Sequence, residues 1–167
     1  RHKIIIRTRA DILRQAKKLN KLMNNCNIGT EQRVVYVSGM LLSMQDVVDE
    51  EGRVIDVGLT PEDLKGIQTP QKRDSILIIN HLEEYLGQKK IKPEKKEIMI
   101  EQFKNSISLD SGRDATTKVD KLVGELLSAK SSITKQVFAF LYHYVYLEID
   151  LTQGALDIMA EMYSTFL

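Results

Sequence analysis

Histidines and clustered carboxylates are the side chains through which this 167-residue chain could bind a metal ion or transfer protons. The three histidines, His2, His81 and His143, lie far apart, and the sequence contains no His-x-x-x-His or Glu-x-x-His pair. Pairs of this kind place two ligands on one face of a helix, as many zinc sites require. The spacing therefore predicts no zinc site, and His143 is interpreted as a packing residue rather than a general base.

Two acidic segments could also carry chemistry. The first contains Asp46, Asp49, Glu50, Glu51 and Asp56, but it lacks the spacing of a calcium-binding loop, so a solvated acidic connection is the preferred interpretation. The second, Glu94-Lys95-Lys96, matches the Glu-x-Lys pattern of many nucleases. It follows Pro93 and so falls in the first turn of a predicted helix, where the helix dipole explains an acid. Neither segment is predicted to be a catalytic centre.

Cofactor-binding and nucleophile motifs are absent from the sequence. No two of the nine glycines are two residues apart, which excludes a Gly-x-Gly dinucleotide loop, and there is no Gly-x-x-x-x-Gly-Lys phosphate loop. Ser38-Gly39 lacks the preceding glycine of a nucleophile elbow. Cys26 is the single cysteine, which excludes a disulfide framework and a cysteine-based zinc cluster and favours a reducing, cytoplasmic location. We therefore predict no catalytic, cofactor-binding or metal-binding residue in this chain.

Composition indicates one folded domain over residues 1–167. The net charge is only +1, so any charge-driven binding must come from local patches. The longest apolar runs, Ile4 to Ile6 and Ile76 to Ile79, are far too short to cross a bilayer, and no membrane partner is expected. Because the chain begins at Arg1 rather than Met, it is interpreted as a piece of a larger protein.

Helical periodicity appears in most segments and predicts an all-α fold, an irregular bundle of about six to eight helices. The predicted helices run from about Thr8 to Asn25, Thr30 to Val48, Thr60 to Gly66, Pro70 to Leu86, Pro93 to the loop at Ser106, Asp114 to Lys130, Ser132 to Tyr146, and Asp150 or Thr152 to Leu167. In the helix after Pro93, Ile98 and Phe103 are expected to point inward. At most a minor strand pair is expected, from Lys3 to Ile6 and Arg53 to Val57.

The first predicted helix has one cationic face. At 100° per residue, Arg7, Arg14, Lys18 and Lys21 fall within a narrow stripe, opposite an apolar side formed by Ile12, Ala16, Leu19, Leu22 and Met23. Such a helix can dock on a core and present cations to a phosphate backbone. The alternative is a solvated face that keeps the domain soluble, and the helix alone favours this simpler interpretation.

An aromatic segment from Phe138 to Tyr146 is the second candidate surface, because aromatic rings can stack on bases. However, Val137, Phe138, Leu141, Tyr144 and Val145 together form a wide helical face. Packing in the core is therefore the preferred interpretation. Tyr142 and Tyr146 are the residues most expected to reach the surface.

Three stretches resemble the region before the catalytic core of N6-adenine DNA methyltransferases of restriction-modification systems. Thr30 to Met44, with Val37-Ser38-Gly39 inside it, is similar to a Val-Ser-Gly-x-Leu helix of that family, although Arg33-Val34 stands where Lys-Pro is usual. The stretch from Asp63 to Asp74 resembles the region that follows. The last stretch, Asp157 to Leu167, resembles the helix before the catalytic core, with Ala160 in place of the usual glycine.

This resemblance implies a supporting role, because the catalytic motifs of that family lie in a neighbouring domain. In that family the S-adenosylmethionine loop and the Asn-Pro-Pro-aromatic motif lie beyond such a domain, and the three prolines here are isolated, so no catalytic residue is carried over. The implied role is a helical N-terminal or connector domain that helps enclose DNA and contacts the methyltransferase catalytic domain and a specificity or nuclease subunit or domain. A helical protein-interaction or scaffold domain without a nucleic-acid role remains the alternative.

Overall fold

The computed structural model describes residues 9–107, 111–128 and 130–147, in which five α-helices and two antiparallel strand pairs are present. The elements are α1 (Arg9–Asn25), α2 (Thr30–Ser43), β1 (Val47–Val48), β2 (Val54–Asp56), α3 (Asp74–Gly87), α4 (Pro93–Ile107), β3 (Thr116–Lys118), β4 (Lys130–Ser132) and α5 (Ile133–Leu141). Short 3-10 turns cover Pro61–Asp63, Ser111–Asp114 and Lys121–Val123, and a π-helical turn, Tyr142–Tyr146, follows α5. No helix among these described residues is long and apolar enough to cross a membrane.

Helix α2 occupies the centre of the fold and packs against α3, α4 and α5, while α1 packs on α5. Helices α2 and α4 approach each other closely at Gly39 of α2, where an added Cβ atom would lie 1.9 Å from the ring of Phe103 on α4. Phe103 is buried, as predicted, and the missing side chain at Gly39 makes room for its ring. Ile98, predicted to point inward from the same helix, is instead 58% exposed, because α4 turns only one narrow face toward α2 and α3.

A buried polar network joins three segments that are distant in the sequence. The carboxylate of Asp114 is 1% exposed and accepts hydrogen bonds from the Ser75 backbone N–H (3.1 Å), the Ser75 hydroxyl (2.6 Å) and the Thr134 hydroxyl (2.7 Å). Arg73 forms an ion pair with the same carboxylate. Buried charges need such partners, and these fix the start of α3 and the start of α5 against the turn at Asp114.

The predicted helix from Asp114 to Lys130 is wrong. This stretch forms β3, the 3-10 turn Lys121–Val123 and then β4, with Thr116 opposite Ser132 and Lys118 opposite Lys130. The strands are held by a side chain from outside the segment, since the Gln136 amide donates to the Lys118 carbonyl (3.1 Å) and accepts from the Asp120 N–H (2.9 Å). The hydrophobic periodicity of the segment itself does not reveal such a tertiary partner.

The other predicted helices and strands are confirmed only in part. The mostly helical character is confirmed, as is a short strand within Arg53 to Val57, which pairs with Val47–Val48. The second helix ends at Ser43 rather than Val48, because its predicted last turn forms β1. Five helices rather than six to eight are present among the described residues, and two strand pairs replace the single one expected. The predicted strand at Lys3 to Ile6 and the predicted last helix lie outside these residues.

Candidate nucleic-acid interface

The predicted division of α1 into two faces is confirmed wherever its side chains are described. Ala16, Leu19, Leu22 and Met23 are completely buried. Arg14, Lys18 and Lys21, named here the basic stripe, are exposed on the other side. Arg7, the fourth predicted cation, lies outside the described residues, as does the side chain of Ile12. A buried apolar face that fixes one side of a helix also fixes the direction of its cations.

A polar groove of about 600 Å³ opens where the C-terminal end of α1 meets the segment after β3. Its wall includes Asn25 and Asn27 from the α1 side and Lys118 and Lys121 from the other side. Asp120 also lines the groove, but its carboxylate accepts from the Asn25 amide (3.0 Å) and from the Leu122 backbone N–H (2.9 Å). The one acid in this wall is thus engaged in capping a turn.

A second depression, of about 380 Å³, connects the groove to the basic stripe. Lys18 of α1 and Lys121 line it together, with Gln15, Glu125 and Tyr144. Because Lys121 borders both depressions, cations extend from the exposed face of α1 to β3. Sequence reasoning missed Lys118 and Lys121, since it assigned both to a long helix; Asp120, a good N-cap residue, was the available signal for a break there.

No family model, curated protein or solved structure matches this chain.

The aromatic segment packs mainly into the core, as predicted. Phe138 and Phe140 are 0% and 1% exposed. Tyr142 and Tyr146 are partly exposed and stack on each other with ring centroids 5.7 Å apart, so one face of each ring is occupied. Tyr144 borders the second depression and meets Phe140 edge to face at 5.0 Å. Tyr144, which was expected on the core face, is instead partly exposed and lines the same depression as Lys18 and Lys121.

Cys26 lines the polar groove but is a poor nucleophile. Burial, with a smaller contribution from the charge of Asp120, raises the pKa of its thiol to about 11. A thiol with that pKa is almost entirely protonated at neutral pH, and the thiolate is the reactive species. Cys26 is therefore not a candidate nucleophile in this groove.

The predicted acidic connection is largely an internally bonded hairpin. Asp49 accepts from the Arg53 backbone N–H and guanidinium, each at 2.9 Å, and these bonds lower the pKa of its carboxyl. Asp46 accepts from the Gly58 N–H at 2.8 Å. Asp56 instead lies beside His81 and Glu84 of α3, and its hydrogen bond with Glu84 raises the pKa of that carboxyl. The histidine spacing gave no sign of this cluster, because Asp56 is supplied by the distant strand β2.

Proposed function

We propose that this chain is a helical N-terminal or connector domain of an S-adenosylmethionine-dependent adenine-N6 DNA methyltransferase of a restriction-modification system, and that it contacts the DNA backbone. The observation that carries the proposal is the continuity of exposed cations from the basic stripe, through Lys121, to Lys118. Phosphate contacts of this kind position a protein on DNA without reading its sequence. The resemblance of Thr30 to Met44 to the family supplies the methyltransferase context.

In this proposal the chemistry belongs to a neighbouring catalytic domain. That domain binds S-adenosylmethionine and receives the adenine after it is flipped out of the duplex, as base-modifying enzymes require. The helical domain supplies a wall against the DNA and a surface for the catalytic domain and for a specificity or nuclease partner. The single cysteine suits the reducing cytoplasm in which we place this protein.

Charge reversal tests the DNA contact directly. The triple variant Arg14→Glu, Lys18→Glu and Lys21→Glu is compared with the wild type by fluorescence anisotropy of a short labelled duplex over a range of salt concentrations. Each phosphate contact contributes about 0.9 to the slope of log K against log salt, so three lost contacts lower the slope by roughly 2.7. Circular dichroism checks that the fold is intact, which is expected because all three side chains are exposed.

The matched control reverses Lys90, Lys92 and Lys95, three exposed lysines in and before α4, which packs on α2 and α3. Both triple variants change the net charge equally, so a smaller loss in the control attributes the effect to the basic stripe. Equal losses in the two variants, or no loss in either, contradict the proposed interface.

The β1–β2 hairpin offers a surface for the domain assembly that this proposal includes. Val54, Ile55 and Val57 are 53%, 51% and 68% exposed, and three neighbouring apolar side chains are costly to leave in water. We propose that this hairpin docks on the catalytic domain of the same protein. The triple variant Val54→Thr, Ile55→Thr and Val57→Thr, made in the longer protein, should loosen that contact, which limited proteolysis between the domains measures. An unchanged cleavage rate argues against the hairpin as a docking site.

A further inference from the structure

A buried histidine and two carboxylates meet between the β1–β2 hairpin and α3. The reactive atoms of Asp56, His81 and Glu84 lie within 4.8 Å of one another, and His81 is only 4% exposed. Asp56 belongs to β2, whereas His81 and Glu84 are three residues apart on α3 and so share one face of that helix. The three groups therefore converge from two separate elements of the fold.

The surroundings of His81 determine which of its two ring nitrogens carries the proton. Its Nε2 atom lies 2.8 Å from the backbone carbonyl oxygen of Gln45, which can only accept a hydrogen bond, so Nε2 carries the proton. In the neutral ring, Nδ1 then holds a lone pair, and it lies 3.4 Å from the Oδ2 atom of Asp56. A lone pair that faces a carboxylate is repulsive unless a proton or a metal ion lies between them, and the Glu84 carboxyl, which is hydrogen-bonded to Asp56, brings a third donor atom to the same point.

We propose that Asp56, His81 and Glu84 form a site for a divalent transition metal of the Zn²⁺ class, with the Gln45 carbonyl holding the imidazole in its ligating tautomer. Metal-binding histidines generally donate their other N–H to a carbonyl or carboxylate, as His81 does. An imidazole with two carboxylates suits Zn²⁺ and related metals, whereas Mg²⁺ and Ca²⁺ prefer oxygen ligands alone.

The three ligand atoms need to move only slightly closer together to bind one metal ion. Tetrahedral ligands at about 2.0–2.1 Å from zinc are roughly 3.3 Å from one another. The Nδ1 to Asp56 Oδ2 distance of 3.4 Å already meets that value, and the ligand atoms as a group lie within 4.8 Å. Asp56 is 52% exposed at its side chain, so the site opens to solvent on one side and water completes the coordination. Metal binding would tie the hairpin to α3 through side chains as well as through packing.

The test is a titration of the full chain, made without a histidine tag, with ZnCl₂ by calorimetry, together with metal content after dialysis. We expect one Zn²⁺ per chain for the wild type, and at least tenfold weaker binding for Asp56→Asn and for Glu84→Gln. Both variants preserve side-chain volume, so folding is retained even if His81→Gln unfolds the protein. Glu83→Gln removes the same charge from the adjacent exposed position of α3 and should bind like the wild type.

Two results would overturn the site. The first is an absence of saturable zinc binding, or equal affinity for Glu84→Gln and Glu83→Gln. The second comes from nitrogen-15 NMR of the imidazole: if both ring nitrogens of His81 stay protonated at neutral pH in excess Zn²⁺, a proton occupies the place assigned to the metal. Neither result depends on whether the basic stripe binds DNA.

Discussion

Replacement of Gly39 by alanine should destabilise the protein, although alanine is the better helix former. In the interior of a helix, alanine is favoured over glycine by about 1 kcal/mol. Against this, a Cβ atom at position 39 would lie 1.9 Å from Cε1 and 2.0 Å from Cδ1 of Phe103, and ordinary contacts begin near 3.4 Å. The ring must therefore move by about 1.5 Å within a core where it is 1% exposed. Overpacking of this kind costs up to about 3 kcal/mol, so we expect a net loss of roughly 2 kcal/mol.

Urea unfolding followed by circular dichroism measures this change. Gly87→Ala at the end of α3 is the matched control, because no atom lies within 4 Å of its added Cβ, and it should be neutral or slightly stabilising. The double variant Gly39→Ala with Phe103→Leu should lose less than the sum of the two single changes, since the smaller side chain relieves the clash. If Gly39→Ala is as stable as Gly87→Ala, the close packing of α2 on α4 is wrong.

Three further predictions concern buried polar groups. Asp114→Ala should cost about 3–5 kcal/mol by urea unfolding, because it removes the buried carboxylate that forms an ion pair with Arg73 and accepts from two hydroxyls. Asp49→Ala in the exposed hairpin should cost far less. Burial raises the pKa of the Asp74 carboxyl, so the folded state keeps the carboxyl proton to a higher pH than the unfolded chain does. The free energy of unfolding should therefore fall as pH rises above about 4, and Asp74→Asn should flatten this part of the stability profile. A profile that the variant leaves unchanged contradicts the raised pKa. Cys26, with its pKa raised to about 11, should react with a thiol reagent at pH 8 far more slowly in the folded protein than in urea, and equal rates would contradict its burial.

Local sequence signals predicted the elements that depend on their own residues. The stripe of Ala16, Leu19 and Met23 predicted both α1 and its buried face, and Pro93 marked the start of α4 correctly. Thr60-Pro61 marked the start of a turn correctly, and the Thr60 N–H donates to Asp63 at 2.8 Å. The helix predicted to continue to Gly66 is wrong, since only the 3-10 turn Pro61–Asp63 forms. In these places the side chains that stabilise an element lie within a few positions of it.

Features that depend on distant partners could not be predicted in this way. The paired residues of strands β3 and β4 are separated by eleven to fifteen intervening positions, and the pair is secured by Gln136, which lies on a different element. The cations Lys118 and Lys121 were missed with them, although Arg14, Lys18 and Lys21 were identified. His81 and Asp56 are 25 positions apart in the sequence and meet only because β2 folds back over α3. Periodicity within one segment contains no information about such meetings.

The network around Asp114 also bears on how the chain folds. It links Arg73 to a residue 41 positions later, and Ser132 closes a second link, 58 positions long, by donating to Asp74 at 2.6 Å. Contacts over such separations form late, because closing a long stretch of chain costs conformational entropy before the contact is made. The helices before Asp114 should therefore gain full protection from hydrogen exchange only once α5 has docked, and the described region should unfold in a single cooperative transition. A nascent chain that ends before Thr134 would lack this closure and remain a substrate for proteases.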